Sequence, residues 1–297
     1  MQACCQQYLA WVRSRSSANT AGAYERDLRA FAQRFIHKQD PSQVSAEDID
    51  LYLDSLQGEM TPASVCRRLS VIRGFYKYLA SNGLCGVNPT LSLRSRNANE
   101  KKRTLEILDR HQVELLLSQP DPQDPKGRRD KAMLELLYAT GMRVSELLDL
   151  TVSNVNVKTG LVLCQCGKRS RAIPLYPLAI RYLEEYLSYS RPFLAQKGQE
   201  TDVLFLNLSG ERMTRQGFWK LLKEYAAKAG ISVNISPHTL RHSFALHLLE
   251  NGADAKEVQS IMGNADAATI KGYVKYARSH VNDMDMERLP HAINKKG

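Results

Sequence analysis

Apolar residues recur at helical spacing through the first 90 residues of the chain. The clearest run lies between Thr61 and Gly83, where apolar side chains follow one another at steps of three or four residues and share one helix face. The residues of this face are Val65, Leu69, Ile72, Tyr76 and Leu79. Thr61 supplies an N-cap, Pro62 suits the first helical turn, and Gly83 ends the pattern.

Two further apolar faces precede this run. Residues 18–35 carry one of them, and Ser45 and Asp48 have the spacing of a capping box before the other. These patterns predict a small bundle of about four helices.

The periodicity lapses after Asn88 and Pro89 and resumes near Glu106. Five cations lie in this segment, namely Arg94, Arg96, Lys101, Lys102 and Arg103. Such a composition suits contact with phosphates and suits a solvated linker equally well, so both interpretations stay open. The predicted organisation is a helical domain at 1–92, a basic linker at 93–106, a second domain at 107–278 and a C-terminal segment at 279–297.

The second domain combines helices with a short β region. Asp109 is a predicted N-cap, and a short helix is expected near Thr269. Helical patterns cover residues 129–140, 178–189, 214–229, 237–250 and 255–261. Short β-prone runs separated by turns cover residues 152–157, 161–166 and 172–175. The predicted fold class is therefore mainly α, with a helical bundle followed by an α-rich domain that carries a small antiparallel sheet.

Composition and charge favour a globular protein with a polyanionic partner. The 297 residues are 43% hydrophobic and 24% charged, which favours two folded domains and excludes a disulfide-stapled miniprotein. The net charge is +10, and both parts are basic: residues 1–100 hold 12 Lys and Arg against 9 Asp and Glu, and the rest hold 29 against 22. Such a distribution suits a protein that encloses nucleic acid.

Several other classes are disfavoured. No stretch approaches the roughly 20 apolar residues of a membrane span, and the start lacks a signal peptide's apolar core, so we expect a cytoplasmic protein without membrane contact. The six cysteines have no two-pair metal spacing and are interpreted as reduced structural thiols. Neither phosphate-binding glycine loop is present, so no cofactor is expected. His238 and His242 have the spacing of a zinc-protease helix, but Thr239 replaces the general-base Glu, so no metal is expected.

Three segments carry a resemblance to a known family. They are Gly141-Met-Arg-Val-Ser-Glu-Leu147, His238-x-x-Arg241 and the stretch from Gly263 to Tyr273. In this order they resemble the tyrosine recombinases, and the best overall match is to the Xer site-specific recombinases. The resemblance extends over nearly the whole chain. It implies a core-binding, SAM-like helical domain and a catalytic domain that together form a C-shaped DNA clamp.

The resemblance implies a role for each matching residue. Arg143 and Arg241 would neutralise charge on a phosphate, which planar guanidinium groups do bidentately. Tyr273 would be the nucleophile that forms a covalent phosphotyrosyl link, with Tyr276 as its competitor. His238 would assist proton transfer at the tyrosine hydroxyl.

Lys168 is the implied proton donor to the departing 5′ oxygen. The spacing around Gly167 departs from the family by one residue added before it and two removed after it, so Arg169 and Arg171 stay alternatives for DNA contact. Glu146 matches a recurrent acid of the family. It either holds a neighbouring cation or is an ordinary helix acid.

Asn264 is the main departure, because the family usually has His there and sometimes Trp. A carboxamide can donate a hydrogen bond to phosphate but cannot exchange a proton at neutral pH. Natural variation that the other residues tolerate, and an enzyme that cleaves slowly until assembled, are the competing explanations. Gly272 disfavours helix by about 1 kcal/mol, which suggests that Tyr273 is placed for attack only when a neighbouring subunit packs on it.

The implied function is site-specific DNA recombination through a 3′-phosphotyrosyl intermediate and a Holliday junction, in chromosome dimer resolution or in mobile-element integration and excision. The implied partners are double-stranded DNA with paired half-sites and further subunits, in a homo-tetramer or a hetero-tetramer with a related recombinase. Residues 279–297 would dock on the next subunit, and the alternative is a frayed tail. Additional candidate DNA contacts are Arg215, Gln216 and Lys220, which a solvated helix face explains about as well. The alternatives are a type IB topoisomerase-like enzyme and a DNA-binding protein that has lost its chemistry.

Overall fold

The computed structural model describes residues 1–16, 18–93, 106–166, 169–263 and 267–280. For residues 166, 169, 267, 268 and 277–280 it describes the backbone alone. The chain divides into two compact units, Met1–Arg103 and Thr104–Gly297. The predicted clamp shape and the predicted domain boundaries stay predictions.

The first unit is a bundle of helices whose ends follow local sequence signals. Its helices are α1 (Gln2–Arg15), α2 (Ala18–Arg34), α3 (Ala46–Ser55) and α4 (Pro62–Ser81). Ser45 and Asp48 form the predicted capping box at α3, and the Thr61 side chain accepts a hydrogen bond from the Ser64 backbone N–H at α4. The predicted helical bundle is confirmed.

The second unit is also mainly helical, with one small sheet. Its helices are α5 (Arg110–Ser118), α6 (Pro125–Thr140), α7 (Val144–Asp149), α8 (Pro177–Glu185), α9 (Arg191–Ala195), α10 (Arg215–Lys228), α11 (Pro237–Glu250), α12 (Ala255–Ile261) and α13 (Ala267–His280). Among the residues described, no helix is both long enough and apolar enough to cross a bilayer.

The sheet is antiparallel, with strand order β1 (Val155–Asn156), β2 (Leu161–Cys166) and β3 (Arg169–Pro174). In this register Cys164 pairs with Arg171, and directly opposed residues of an antiparallel pair project from the same face. Because Cys164 is fully buried, its partner Arg171 is directed toward the interior of the unit. The mainly α class with a small antiparallel sheet is confirmed.

The start of α6 and the region of α8 and α9 differ from the sequence patterns. α6 begins at Pro125, earlier than expected, because the Asp124 side chain accepts from the Gly127 N–H and caps the helix there. The single helix predicted over 178–189 is instead α8 followed by a π turn at Tyr186–Ser190, and α9 begins directly after this turn. Pro192 lies in the first turn of α9 and has no N–H to donate, which accounts for the change in helical register before it.

α11, α12 and α13 share a small apolar cluster. Its buried members are Phe244, Ala245, Val258, Met262, Ile270 and Tyr273. α13 extends for 14 residues, longer than the short helix expected near Thr269, and it continues through Gly272. This packing places Tyr273 against α11, with only 1% of the residue exposed.

Candidate active site

The turn between α6 and α7 brings Arg143 next to α11. Gly141 ends α6 with φ +55°, in the left-handed region that favours glycine. A Cβ atom at this position would lie 2.2 Å from Cδ1 of Phe244 on α11. Glycine therefore lets the turn pack closely on α11, and Arg143 follows immediately at the start of α7.

Glu146 holds two arginines. Its Oε1 lies 3.1 Å from Nη1 of Arg143, and its Oε2 accepts from the Arg143 backbone N–H at 2.7 Å and from Nη2 of Arg171 at 3.0 Å. Burial alone would raise the pKa of Glu146, but the hydrogen bonds from Arg171 and Arg143 outweigh it and lower the pKa. Glu146 is thus an anionic bridge between α7 and β3, the first of the two interpretations of this residue.

Arg241 is held by main-chain oxygens. Its residue is only 6% exposed, and its guanidinium donates to the carbonyls of Gly141 and, at 2.6 Å, of Met262. Burial and the neighbouring charge of Arg143 lower the pKa of Arg241 to about 10. The side chain therefore remains a cation at neutral pH and has a fixed orientation.

The turn after α12 joins the two arginine positions. Gly263 has φ +63°, and its carbonyl accepts from Nη1 of Arg143 at 3.3 Å. A Cβ on Gly263 would lie 2.3 Å from Nη1 of Arg171. Arg143 and Arg241 thus bind the consecutive carbonyls of Gly263 and Met262, so the two side chains meet at one turn.

Tyr273 lies near Arg241, and His242 is its hydrogen-bond partner. The Tyr273 hydroxyl and Nδ1 of His242 are hydrogen-bonded. Burial raises the pKa of Tyr273, and the positive charge of Arg241 opposes that shift. The structure therefore brings together three of the predicted catalytic residues, namely Arg143, Arg241 and Tyr273.

His238 lies beside His242, the hydrogen-bond partner of Tyr273, and its implied role stays a prediction. It is exposed at the start of α11, and its ring is stacked on that of His242, with centroids 6.2 Å apart and an interplanar angle of 28°. Burial, with the charges of His238 and Arg241, lowers the pKa of His242 to about 4. The spacing of His238 and His242 is the signal for this residue in the sequence, although by itself that spacing indicates only a possible metal pair.

The other predicted site residues are divided between exposed positions and positions outside the described residues. Lys168 and Asn264 lie outside the described residues, and so does the side chain of Arg169. Residues 281–297 of the predicted docking segment also lie outside them. The same holds for the linker cations Arg94, Arg96, Lys101, Lys102 and Arg103. Arg215, Gln216 and Lys220 are exposed on α10. Their contact with DNA stays a prediction. Arg171 is 14% exposed and paired with Glu146, so it belongs to the arginine site.

Known proteins resemble this chain over most of its length. The phage integrase family matches residues 106–280, and the phage integrase N-terminal SAM-like domain matches residues 6–83. A tyrosine recombinase XerD of Listeria innocua is 40% identical over 282 residues, covering 93% of this chain and 94% of the relative. The tyrosine recombinase XerD of Staphylococcus haemolyticus is 38% identical over 299 residues, which cover 98% of this chain and 100% of the relative.

The XerH site-specific recombinase has been solved in complex with palindromic difH substrate after cleavage. This structure matches the present chain with a TM-score of 0.73 and 20% sequence identity, and the match covers 90% of this chain and 79% of that one. That similarity shows a common fold. The fold has a helical N-terminal unit and an α-rich unit with a small sheet, and it places Tyr273 near Arg241. These are features of a tyrosine recombinase. The chain belongs to the phage integrase family, and within that family to the Xer tyrosine recombinases. It is a site-specific DNA recombinase.

Proposed function

We propose that Tyr273 cuts one DNA strand at a time. Its Oη attacks the scissile phosphorus, the bond from phosphorus to the 5′ oxygen breaks, and a 3′-phosphotyrosyl link and a free 5′ hydroxyl result. A 5′ hydroxyl from another strand then attacks the same phosphorus and releases the tyrosine. The number of ester bonds is unchanged throughout, so the covalent intermediate conserves the bond energy.

Arg143 and Arg241 stabilise the phosphorane that forms during this attack. The observation that supports this role most directly is the placement of both guanidinium groups on the carbonyls of Met262 and Gly263, in the cluster that contains Tyr273. Fixed cations in a partly buried site oppose developing negative charge without having to reorganise. Oriented in this way, the arginine pair would hold one phosphate in line with the tyrosine.

Lys168 and Asn264 complete the proposed site. Lys168 would protonate the departing 5′ oxygen, and Asn264 would donate a hydrogen bond to a phosphate oxygen. Arg171 on β3, the strand that follows Lys168 in the sequence, is paired with Glu146, which also binds Arg143. Asn264 directly follows Gly263, whose carbonyl binds Arg143. His238, exposed beside His242, retains its implied part in proton transfer.

The assembly that this chemistry serves is a complex of four subunits on two DNA sites in the cytoplasm. Two strands are exchanged to form a Holliday junction, and two more strands resolve it. The first domain, the basic linker and α10 would contact the duplex, and residues 279–297 would dock on the next subunit. The partner subunits are further copies of this chain or a related recombinase. Tyr273, at 1% exposure, must become accessible in that assembly.

Covalent capture on genomic DNA tests this function. The wild-type protein is incubated with fragmented DNA from its own cells, the complexes are trapped with denaturant, and the attached DNA is sequenced. We expect a few sites with paired half-sites, and recombination of a plasmid that carries two copies of such a site. Relaxation of supercoiled plasmids that lack any such site, at the same rate, would instead indicate topoisomerase activity.

Glu146→Gln is expected to slow DNA cleavage by about 10- to 100-fold, because small displacements of positioning groups have effects of this size. The substitution removes the anion that separates Arg143 from Arg171, so their repulsion would shift both side chains. Single-turnover adduct formation measures the rate. Glu184→Gln changes the net charge equally at an exposed position and is expected to leave the rate unchanged. Equal rates for the two variants would remove Glu146 from the mechanism.

A further inference from the structure

The proposed nucleophile has an imidazole as its hydrogen-bond partner, on a different helix. His242 lies one turn after His238 on α11, and its Nδ1 is bonded to the Tyr273 hydroxyl on α13. The two rings are tilted by 55° with centroids 5.5 Å apart. Phe244 of α11 and Ile270 of α13 belong to one apolar cluster, to which Val258 of α12 also belongs. The bond therefore joins two well-packed elements.

His242 is neutral at pH 7 and can accept a hydrogen bond from the tyrosine hydroxyl, but its lowered pKa makes it a weak base in the free protein. Burial, with the charges of His238 and Arg241, lowers its pKa to about 4, so the ring is neutral at pH 7. A neutral imidazole has one acceptor nitrogen and one N–H. When the Tyr273 hydroxyl donates to Nδ1, the hydrogen of the imidazole is on Nε2.

We propose that His242 is a catalytic residue that takes the proton of Tyr273 during attack on the phosphate. The inference rests on the proposed function. As the bond from Oη to phosphorus forms, the Oη–H proton passes to Nδ1, and the 5′ oxygen leaves with a proton from another donor. In the reverse step Nδ1 returns its proton to the departing tyrosine oxygen. Each step moves one proton at His242.

DNA itself strengthens this base. The scissile phosphate brings negative charge next to Arg241, and nearby negative charge favours the protonated form of an imidazole. His242 therefore becomes a better proton acceptor when a phosphate occupies the site than in the free protein. The neighbouring cation Arg241 disfavours a lasting imidazolium, which promotes return of the proton when the strand is rejoined.

The same helix offers a matched control for this bond. His247, also on α11, has its Nδ1 2.8 Å from the hydroxyl of Tyr138, and burial lowers its pKa to about 4 as well. Both pairs are partly buried tyrosine–histidine hydrogen bonds, but the pair of His247 and Tyr138 does not include the proposed nucleophile. Replacing His247 therefore has a similar structural cost to replacing His242, but it leaves the hydrogen bond of the Tyr273 hydroxyl unchanged.

His242→Gln and His247→Gln are compared in single-turnover cleavage of a nicked suicide substrate, with DNA affinity and thermal melting as checks on folding. Loss of a positioned general base costs about 10² to 10⁴ in rate, so His242→Gln is expected to form the adduct at least about 100-fold more slowly. His247→Gln is expected to cleave at close to the wild-type rate. His242→Asn serves as a second variant in case the glutamine disturbs packing.

A substrate with sulfur in place of the bridging 5′ oxygen identifies which proton His242 handles. A thiolate leaves without needing a proton, because a thiol is far more acidic than an alcohol. The His242→Gln defect is expected to persist on this substrate, since the tyrosine still needs a base. Disappearance of the defect, or wild-type cleavage by His242→Gln on the normal substrate, would overturn the proposal. Absence of any adduct with the wild-type protein would instead overturn the proposed function on which it rests.

Discussion

Tyr273→Phe is expected to leave a folded protein that binds DNA and forms no covalent adduct. Loss of the nucleophile of a covalent mechanism reduces turnover by at least about 10⁴-fold. The substitution also breaks the hydrogen bond to His242. Because Nδ1 of His242 loses its partner, the cost is about 1 to 3 kcal/mol, and the buried ring remains in the cluster with Ile270. The measurement is denaturing electrophoresis of protein incubated with a labelled nicked substrate, in which the adduct migrates more slowly than free protein.

Tyr276→Phe is the control for this experiment. Tyr276 lies one turn further along α13 and is the competing candidate nucleophile in the sequence. The Tyr276→Phe protein is expected to form the adduct, whereas Tyr273→Phe is not. An adduct that persists in Tyr273→Phe and disappears in Tyr276→Phe would reverse the assignment.

Arg241→Lys is expected to reduce the rate of cleavage by about 10² to 10³, the usual effect of removing one donor that stabilises a developing anion. A lysine retains the charge, but its single ammonium cannot reproduce the planar fork that binds the carbonyls of Gly141 and Met262 and presents further N–H groups to a phosphate. Single-turnover cleavage at saturating protein measures the chemical step separately from binding.

Arg191→Lys is the control for this experiment, because it makes the same substitution at an arginine outside the proposed site. The Arg191 guanidinium also bridges backbone carbonyls, donating to Thr201 at 2.8 Å and to Val203 at 2.7 Å. We expect both variants to melt at a lower temperature and only Arg241→Lys to cleave slowly. Comparable cleavage defects would mean that Arg241 acts through the stability of the domain.

Sequence reasoning located the elements with strong local signals. The capping box of Ser45 and Asp48 and the cap at Thr61 mark helix ends because their hydrogen bonds span only three residues. α13 is longer than predicted. Gly272 weakens the local helix propensity, but Ile270 and Tyr273 pack against α11, and such packing routinely overrides propensity.

The motifs identified Arg143, Arg241 and Tyr273, but not the contacts that hold them. The pairing of Arg171 with Glu146 depends on strand register, since Arg171 faces inward only because it is opposite Cys164. The bond between His242 and Tyr273 joins residues 31 positions apart. Contacts of this kind follow from how helices and strands pack, and no single segment of sequence encodes them.

The anchoring of Arg241 has a consequence for how this site tolerates mutation. Its two acceptors belong to the peptide backbone, so a substitution at position 262 changes a side chain and leaves the oxygen that the arginine binds. Position 141 is different, because a side chain there would collide with Phe244. We expect a library of variants at these two positions to accept several apolar residues at 262 and almost exclusively glycine at 141. One of the two carbonyls that bind Arg241 thus tolerates mutation of its own residue, and the other does not.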